Sequence, residues 1–302
     1  MSDQLSKIAG KTLGDSTSYA VFTDTFDSSL LNPMPRKLAR EHWGIQGSEF
    51  VGYDVWHCHE ATFLLDNGCP VAGTLKFVYP SSSEFMVESK SAKLYLNSFD
   101  MCRMGGNFEE AVLSYETQIR NDLSACVGAD VQVKFHSSGS YSSTIRRNLL
   151  GNYADLALTC PGIYSEKFND YGGLGHYIQT EPGCGETRFF TNALRSRCRH
   201  TKQKDTGLAA IYHKSDSAVV IPLSAFKQIV SLREVNEFHE FCAEKIFIEI
   251  EEVCRPGDDI CVMLLYSRRG SLDINPVRAS NFSAIPDDLI NVNVLTEKVQ
   301  GQ

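Results

Sequence analysis

Apolar residues divide the first half of the chain into two strands, a helix and a third strand. Segments 53–65 (YDVWHCHEATFLL) and 70–79 (PVAGTLKFVY) are rich in β-branched and aromatic residues, which is typical of strands. In 108–128 apolar side chains recur three and four residues apart, which predicts a helix that stops at Gly128. The next segment, 129–136 (ADVQVKFH), is predicted as a strand. The first forty residues, rich in Ser, Asp, Pro and Gly, are predicted to be mostly irregular.

The second half shows a similar order after a connecting region. Residues 137–187 hold many Gly, Ser, Tyr and Asn, and they are predicted to connect the halves with short strands only. A strand is predicted around GLAAIYH, a helix near PLSAFKQIV and a longer helix over NEFHEFCAEKIFIEIEEVC, followed by the strand ICVMLLYS. The apolar stripe of the longer helix consists of Phe238, Cys242, Ile246, Ile250 and Val253.

The two halves agree most clearly where a helix passes into a strand. DLSACVGADVQVKF and EEVCRPGDDICVMLLY both end an amphipathic helix near a cysteine, turn at a glycine and enter a β-rich segment. This agreement predicts two copies of a β-β-α-α-β unit, with antiparallel strands because the connections between strands are short. The expected class is therefore α+β, with one module over 1–150 and a second over 151–302.

Composition and charge narrow the class of protein. The 302 residues are 42% hydrophobic and 22% charged, which is typical of a globular protein of about two domains. No apolar run reaches the length of a membrane span, and the first residues carry no hydrophobic signal segment, so a cytoplasmic protein without a membrane partner is expected. The ten cysteines form no C-x-x-C pair, which favours reduced thiols over a structural zinc site.

The stretch RSRCRHTKQKDTG (195–207) is basic although the whole chain has a net charge of −8. Flanking positive charges favour the thiolate of Cys198, which is the nucleophilic form, and Asp205 is placed to carry a proton. By itself the stretch is better explained as a basic surface loop that happens to contain a cysteine.

Two further segments carry cations that suit phosphate groups. In FMVESKSAKLYLNSF (85–99), Lys90 and Lys93 stand three residues apart among serines, which would suit a phosphate-bearing cofactor. The alternative is an exposed charged loop before a helix. In YSRRGSLDINP (266–276), Arg268 and Arg269 precede a glycine and either hold an anion at a turn or belong to a solvated hairpin.

Histidines occur in two suggestive contexts. In EFHEFC (237–242), helical spacing places His239 and Cys242 on one face, and His239 with Glu240 would divide proton transfer and substrate binding. A partly buried histidine is the plainer alternative. In WHCHE (56–60), strand alternation separates Cys58 from the two histidines, so three metal ligands do not converge and no metal site is predicted.

Taken together, VESKSAKLYLNSF, NEFHEFCAEKIF and SRRGSLDINPVR resemble the long, two-module form of the 7-cyano-7-deazaguanine reductase family of nitrile reductases. The resemblance covers nearly the whole chain, including LGDSTSYAVF and GYDVWHCHEATFLL near its start. It implies the tunnelling fold, built from two tandem ββααββ modules, and it implies NADPH as cofactor, a deazapurine as substrate and a homodimer.

The resemblance also assigns roles to individual residues. The stretch CRHTKQKDTG matches the nucleophile loop of the family, which implies Cys198 as nucleophile, Asp205 as its proton partner and His239 as a second acid. Glu88 and Glu240 would bind the purine-like edge. The cofactor-binding positions would be Ser89, Lys90, Lys93, Arg268 and Arg269.

The implied reaction adds the Cys198 thiolate to the nitrile carbon and reduces the resulting thioimide twice with NADPH. The chain departs from the family pattern at Lys204 and Thr206, which replace a proline and an aromatic residue. Its extra cations suit a substrate base that is already part of DNA, as in an enzyme of a virus that modifies its genome and works in the host cytoplasm. These candidate phosphate contacts are Arg195, Arg197, Arg199, Lys202 and Lys204.

Two further expectations accompany this interpretation. A different class of function, a protein that binds the deazapurine or modified DNA without reducing it, stays open as the alternative, although Cys198, Asp205 and His239 argue against it. Helical spacing also places Cys242 near the same site, so a reversible Cys198–Cys242 disulfide is expected to protect the nucleophile.

Overall fold

The computed structural model describes residues 25–45, 50–137 and 145–297, without the side chains of residues 145 and 161. The expected α+β class is confirmed. The helices are α1 (Arg36–Trp43), α2 (Ser89–Asn97), α3 (Phe108–Val127), α4 (Leu156–Thr159), α5 (Pro222–Ser231), α6 (His239–Glu251) and α7 (Asp287–Ile290). Single 3-10 turns cover Ser28–Leu30, Pro161–Ser165, Leu232–Glu234 and Phe282–Ala284.

The strands form one large sheet and three small ones. The fourteen strands are β1 (Pro33–Pro35), β2 (Val51–Leu64), β3 (Pro70–Pro80), β4 (Phe85–Val87), β5 (Gln132–Ser137), β6 (Ile145–Arg147), β7 (Ala154–Asp155), β8 (Thr180–Pro182), β9 (Gly185–Arg197), β10 (Lys204–Ser215), β11 (Ala218–Val220), β12 (Asp259–Tyr266), β13 (Leu272–Ala279) and β14 (Val294–Thr296). The small sheets pair β1 with β4, β8 with β11 and β6 with β14.

The large sheet has the order β5-β3-β2-β13-β12-β10-β9-β7 and is antiparallel except at its β7–β9 edge. Two long strands, a short strand, two helices and a further strand follow one another in β2 to β5 and again in β9 to β12. Strand β13 of the second half pairs with β2 of the first over eight residues, so the sheet continues across the boundary at residue 150.

Register assigns the two faces of this sheet. Trp56 of β2 lies opposite Ile274 of β13, and both belong to the core beneath α2 and α3. A second core beneath α5 and α6 occupies the same face. The neighbouring positions, such as Val55 and Val277, point to the opposite face and form a third, smaller core. Helices α2, α3, α5 and α6 therefore cover one face of the sheet, and the short helix α7 packs against the third core on the other face.

Helix α3 forms as its sequence pattern predicts. The Asn107 side chain accepts the Glu110 N–H at its start, and Gly128 ends it in the left-handed conformation with φ +70°. Its buried stripe includes Ala111, Tyr115, Ile119 and Leu123, as the spacing predicted. Helix α6 begins later than predicted, at His239, and its expected stripe residue Val253 is exposed beyond the helix end.

The structure differs from the sequence prediction at three elements. The lead-in segment contains α1, although its first 24 residues lie outside the described part of the chain. Strand β9 was not predicted, and it includes the start of the basic stretch as far as Arg197. SLDINP was treated as part of a turn or solvated hairpin, yet it enters β13, in which every residue is buried. The alternation of polar residues with Pro276 concealed a central strand, because proline is rare there.

Charged side chains from both halves form a buried network under α6. Asp54 accepts hydrogen bonds from Arg36 and Arg278, and Glu244 accepts from Arg278 and Arg40. Burial by itself would raise the pKa of Asp54, but the charges of Arg278 and Arg36 lower it below its usual value. The network ties α1 and β2 of the first half to α6 and β13 of the second.

In the part of the chain that the structure describes, no helix is long and apolar enough to cross a membrane. All ten cysteines are free thiols.

Removing the central carboxylate of the network should strongly destabilise the protein. We expect Asp54→Asn to lower the free energy of unfolding by about 3–5 kcal/mol, because two buried guanidinium groups lose their counter-charge. Glu41→Gln is the matched control, since its pair with Lys37 is solvent-exposed, and it should change stability by about 0–1 kcal/mol. Urea unfolding of the two variants measures the difference. Equal effects would show that the network is not what holds the halves together.

Candidate active site

A cavity of about 340 Å³ lies where the two halves meet on the helix-covered face. Its walls come from the N-terminus of α2, the turn between β9 and β10, the start of α6 and the turn between β12 and β13. Apolar side chains of the sheet, including Trp56, Leu272 and Ile274, line the same cavity. The site residues expected from the sequence that line it are Glu88, Ser89, Lys90, Lys93, Cys198, Arg199, Asp205, His239, Glu240 and Arg269.

Cys198 stands at the first position of the β9–β10 turn. Its backbone N–H donates to Gln203 O at 2.8 Å, and its carbonyl accepts from the Lys202 N–H at 3.0 Å. Lys202 takes the left-handed conformation, with φ 59°, which closes this tight turn. The Thr201 N–H lies 3.5 Å from Cys198 Sγ, a contact that stabilises negative charge on sulfur. The turn therefore presents the thiol to the cavity in a defined position.

The arginines that flank Cys198 are directed to carboxylates rather than to the thiol. Arg199 is buried and donates to Glu237, and Arg197 donates to Glu234 at 2.9 Å. Their charges are therefore compensated locally, which corrects the expectation that they act on the thiolate. It also argues against Arg199 as a contact for a nucleic-acid phosphate.

The remaining cations of the basic stretch do not form a lined channel. Lys202 donates to the backbone carbonyl of Arg199, Lys204 is exposed, and Arg195 is half-buried on β9. None of these three lines the cavity as the structure describes it.

Asp205 lies at the start of β10, opposite Ser196 of β9. Its carboxylate accepts from Arg269 Nη1, and its Oδ2 lies 3.5 Å from His239 Nε2. Burial would raise the pKa of Asp205, but the hydrogen bond and charge of His239 and the charge of Arg269 lower it below its usual value. The group is therefore poised as an ionised acceptor of a proton.

The His239 ring stacks on the ring of Tyr266. The two rings stack with centroids 3.8 Å apart and planes 20° apart, and the Tyr266 hydroxyl lies 3.3 Å from Ser196 Oγ. Cys242 lies in the C-terminal core and not in the wall of the cavity as described, and burial raises the pKa of its thiol to about 12. The expected Cys198–Cys242 disulfide stays a prediction, and this placement gives it no support.

Two carboxylates face the cavity from different halves. Glu88 caps α2, where it accepts from the N–H groups of Lys90 and Ser91, and burial raises its pKa. Glu240 lies in the first turn of α6, and burial, with a smaller contribution from the charge of Asp54, raises its pKa to about 7. Together they offer acceptors to a ligand that presents several N–H donors.

Cationic side chains that suit a phosphate-bearing cofactor lie on one side of the cavity. Lys90 and Lys93 lie on α2, and Arg269 and Gly270 lie across from them in the β12–β13 turn. Gly270 has φ +64°, and a Cβ at this position would collide with the Lys93 ammonium group, so the glycine leaves room for that cation. Lysine, arginine and serine groups at a helix N-terminus suit phosphate oxygens, so these residues fit NADPH.

Arg268, which the sequence grouped with Arg269, faces elsewhere. It lines a second cavity on the opposite side of the sheet together with His57, His59 and Asp273. Strand alternation separates Cys58 from these histidines as predicted, since Cys58 lies in the core beneath α2 and α3. Three groups of potential metal ligands occur among the described residues, all outside the main cavity. They are His57–His59–Asp273, His213–Cys254–Asp258 and His176–Glu249–Glu252.

Sequence reasoning missed several parts of the site. Glu237, which holds both Arg199 and the Trp43 indole N–H, stands directly before the histidine motif and signals its role only by that position. Gln203 accepts from Arg269 at 2.8 Å and fixes that guanidinium beside Asp205. The apolar wall from β13 was missed because that strand was not predicted.

Comparison with known proteins identifies the family of this chain. A family profile described as the N-terminal part of nitrile reductase, 7-cyano-7-deazaguanine reductase, matches residues 22–135. An NADPH-dependent 7-cyano-7-deazaguanine reductase of Ralstonia nicotianae is 34% identical over 282 residues, which cover 92% of this chain and 96% of that protein. Identity at this level over nearly the full length of both proteins shows common family membership. The chain belongs to the NADPH-dependent 7-cyano-7-deazaguanine reductase family.

Proposed function

We propose that this protein reduces the nitrile of the free base 7-cyano-7-deazaguanine to an aminomethyl group, through a thioimide on Cys198. The observation that carries the proposal is one cavity in which Cys198, Asp205 and His239 lie together with Glu88 and Glu240. The relative in Ralstonia nicotianae, named for this NADPH-dependent activity, supports the reaction class.

In the first step the Cys198 sulfur forms a bond to the nitrile carbon as the C≡N bond loses one π component. The ionised Asp205 takes the thiol proton and returns it to the nitrile nitrogen, so the product is a neutral thioimide. The lowered pKa keeps Asp205 ionised before the step, so that a carboxylate oxygen without a proton lies in the cavity.

Two reductions then complete the conversion, and NADPH supplies one hydride to the substrate carbon in each. After the first, the carbon–sulfur bond breaks, the thiolate of Cys198 is regenerated and an imine is left. His239, 3.5 Å from Asp205 and stacked on Tyr266, is placed to donate the protons that the nitrogen gains. The cavity would have to retain the imine until the second reduction.

Glu88 and Glu240 would bind the hydrogen-bonding edge of the substrate base. The guanine-like ring offers a ring N–H and an exocyclic amino group, and Glu88 and Glu240 are the acceptors that suit them. Because these carboxylates belong to different halves of the chain, the base would be held across the junction.

We also propose the tunnelling fold, with two tandem ββααββ modules over 1–150 and 151–302, and a homodimer. The recurring order of elements in β2 to β5 and β9 to β12 supports the modules. The outer strands β5 and β7 leave the large sheet with two edges on which a second copy could add strands.

The structure favours the free base over a base within DNA. Arg197 and Arg199 are paired with carboxylates, so two of the five cations that suggested DNA are already neutralised. A protein that only binds the base is the other candidate, and an intact nucleophile turn beside Asp205 and His239 argues against it.

Mixing the protein with 7-cyano-7-deazaguanine, without NADPH, should increase its mass by that of one base and produce thioimide absorbance. Cys198→Ala should show neither, because the carbon–sulfur bond cannot form, whereas Cys254→Ala should still show both. A DNA duplex containing the nitrile base should leave the protein unmodified. Modification by the duplex would contradict the free-base assignment, and no adduct with either form would favour the protein that only binds.

Binding of the base should depend on pH through Glu240. The pKa of Glu240 is raised to about 7, so the side chain is a neutral acid below this pH. Above it the side chain is an ionised carboxylate, and both of its oxygens can accept hydrogen bonds. Affinity of the Cys198→Ala protein for the base, measured by calorimetry, should therefore increase as the pH rises through about 7. Glu240→Gln in the same background should bind more weakly and lose this dependence. An unchanged pH profile would remove Glu240 from the binding role.

The cofactor assignment is tested at Lys93. Replacing Lys93 by alanine should raise KM for NADPH about tenfold, because one charge-assisted contact to phosphate is lost, while KM for the nitrile stays unchanged. Lys37→Ala, which removes an exposed lysine of α1, is the control and should alter neither constant. A Lys93 effect confined to the nitrile KM would contradict the assignment.

A further inference from the structure

The second cavity, on the face of the sheet opposite α2, α3, α5 and α6, has a volume of about 130 Å³. Strands β2, β3 and β13 form its floor, and β6, β14 and the β12–β13 turn form its rim. It is too small for a nucleobase, since pockets for molecules of that kind occupy about 300–1,000 Å³. Its polar lining consists of His57, His59, Thr74, Arg146, Arg268, Asp273 and Thr296.

Asp273 organises the floor of this cavity. Its carboxylate accepts from His57 Nδ1 at 2.7 Å, from His59 Nε2 and from the Asn275 side-chain amide at 2.5 Å. These donors occupy both carboxylate oxygens. The centroids of the two imidazole rings lie 5.8 Å apart and the rings are stacked, so together they form one side of the cavity.

His57 retains unused hydrogen-bonding capacity. The residue is only 6% exposed, and its Nε2 atom has no hydrogen-bond partner among the described residues. A buried polar atom without a partner costs free energy, so a ligand that satisfies it gains affinity. Nε2 donates to an oxyanion when the ring is protonated, and it accepts from the hydroxyl of a hydrogen phosphate when the ring is neutral.

The charges favour an anion over a metal ion. Arg146 and Arg268 both line the cavity, and Arg268 is paired only loosely, with Glu60 at 3.9 Å. Lys76, the cross-strand neighbour of His57, does not line the cavity, and its ammonium donates to the backbone carbonyls of Asn291 and Val294. The two histidine nitrogens that converge on Asp273, His57 Nδ1 and His59 Nε2, are already engaged with its carboxylate oxygens. Two guanidinium groups would also repel a metal cation.

We propose that this cavity is a binding site for a phosphate-type oxyanion, held by Arg146, Arg268 and His57, with hydroxyl contacts from Thr74 and Thr296. Two sources carry this chemistry: free inorganic phosphate and the 2′-phosphate of NADPH. Arg269 and Arg268 are consecutive residues of the β12–β13 turn, and the first lines the main cavity while the second lines this one.

Titration of inorganic phosphate into the full chain, without nitrile or NADPH, tests the proposal by calorimetry and by phosphorus NMR. Arg146→Gln should weaken binding about tenfold, since one charge-assisted contact is lost, and Arg146→Lys should retain part of it. Arg147→Gln is the matched control, because Arg147 is the next residue of β6, is equally exposed and does not line the cavity. His57→Gln should also weaken binding, with the unfolding temperature checked for loss of structure.

Competition experiments distinguish free inorganic phosphate from the 2′-phosphate of NADPH as the ligand. Displacement of phosphate by NADP⁺ but not by NAD⁺ would identify the 2′-phosphate as the ligand, and displacement by neither would identify free phosphate. Both outcomes support the site, and neither depends on nitrile reduction. Equal weakening in Arg146→Gln and Arg147→Gln, absence of saturable binding at millimolar phosphate, or a tightly bound zinc ion lost in His57→Gln would overturn the proposal.

Discussion

The active cavity depends on a buried set of ion pairs that holds the two halves of the chain together. Asp54 and Glu244, from different halves, each accept from the Arg278 guanidinium, and Arg36 and Arg40 complete the set from α1. Buried charges of this kind contribute little net stability compared with apolar packing, but they tolerate only one arrangement of their partners. Glu244 stands one helical turn after Glu240, so the network also fixes the start of α6, where the cavity residues lie.

The same network influences the chemistry of the site. Glu240 is completely enclosed, and the negative charge of Asp54 adds to the effect of burial in raising its pKa. Asp205 lies in the same cavity but beside His239 and Arg269, and its pKa is lowered instead. Two carboxylates in one cavity therefore receive opposite pKa shifts, which keep Asp205 ionised and favour the neutral acid form of Glu240.

The basic stretch around Cys198 has a structural explanation that its sequence concealed. Arg199 and Arg197 bind Glu237 and Glu234, which precede the histidine motif, so they fasten the nucleophile turn to the start of α6. In place of the proline and aromatic residue expected there, Lys204 and Thr206 begin a regular strand that pairs with β9. The charges thus hold the turn that carries Cys198 and need not contact a polymeric substrate.

The local sequence pattern was sufficient to predict several elements and several residues of the cavity. The spacing of Ala111, Tyr115 and Ile119 and the stop at Gly128 determined α3, because amphipathic periodicity and capping depend on neighbours in the sequence. The motifs around Lys90, Cys198 and His239 likewise identified residues that meet in one cavity.

Tertiary structure alone decided which side chains meet across the sheet. Asp273 is far from His57 in the sequence, yet strand pairing places them opposite each other, and no local signal indicates that contact. Arg268 and Arg269 are adjacent in the sequence but face different cavities. Strand β13 was hidden for the same reason: its polar residues are satisfied only by partners from distant segments, and pairing of that kind is fixed by the whole sheet.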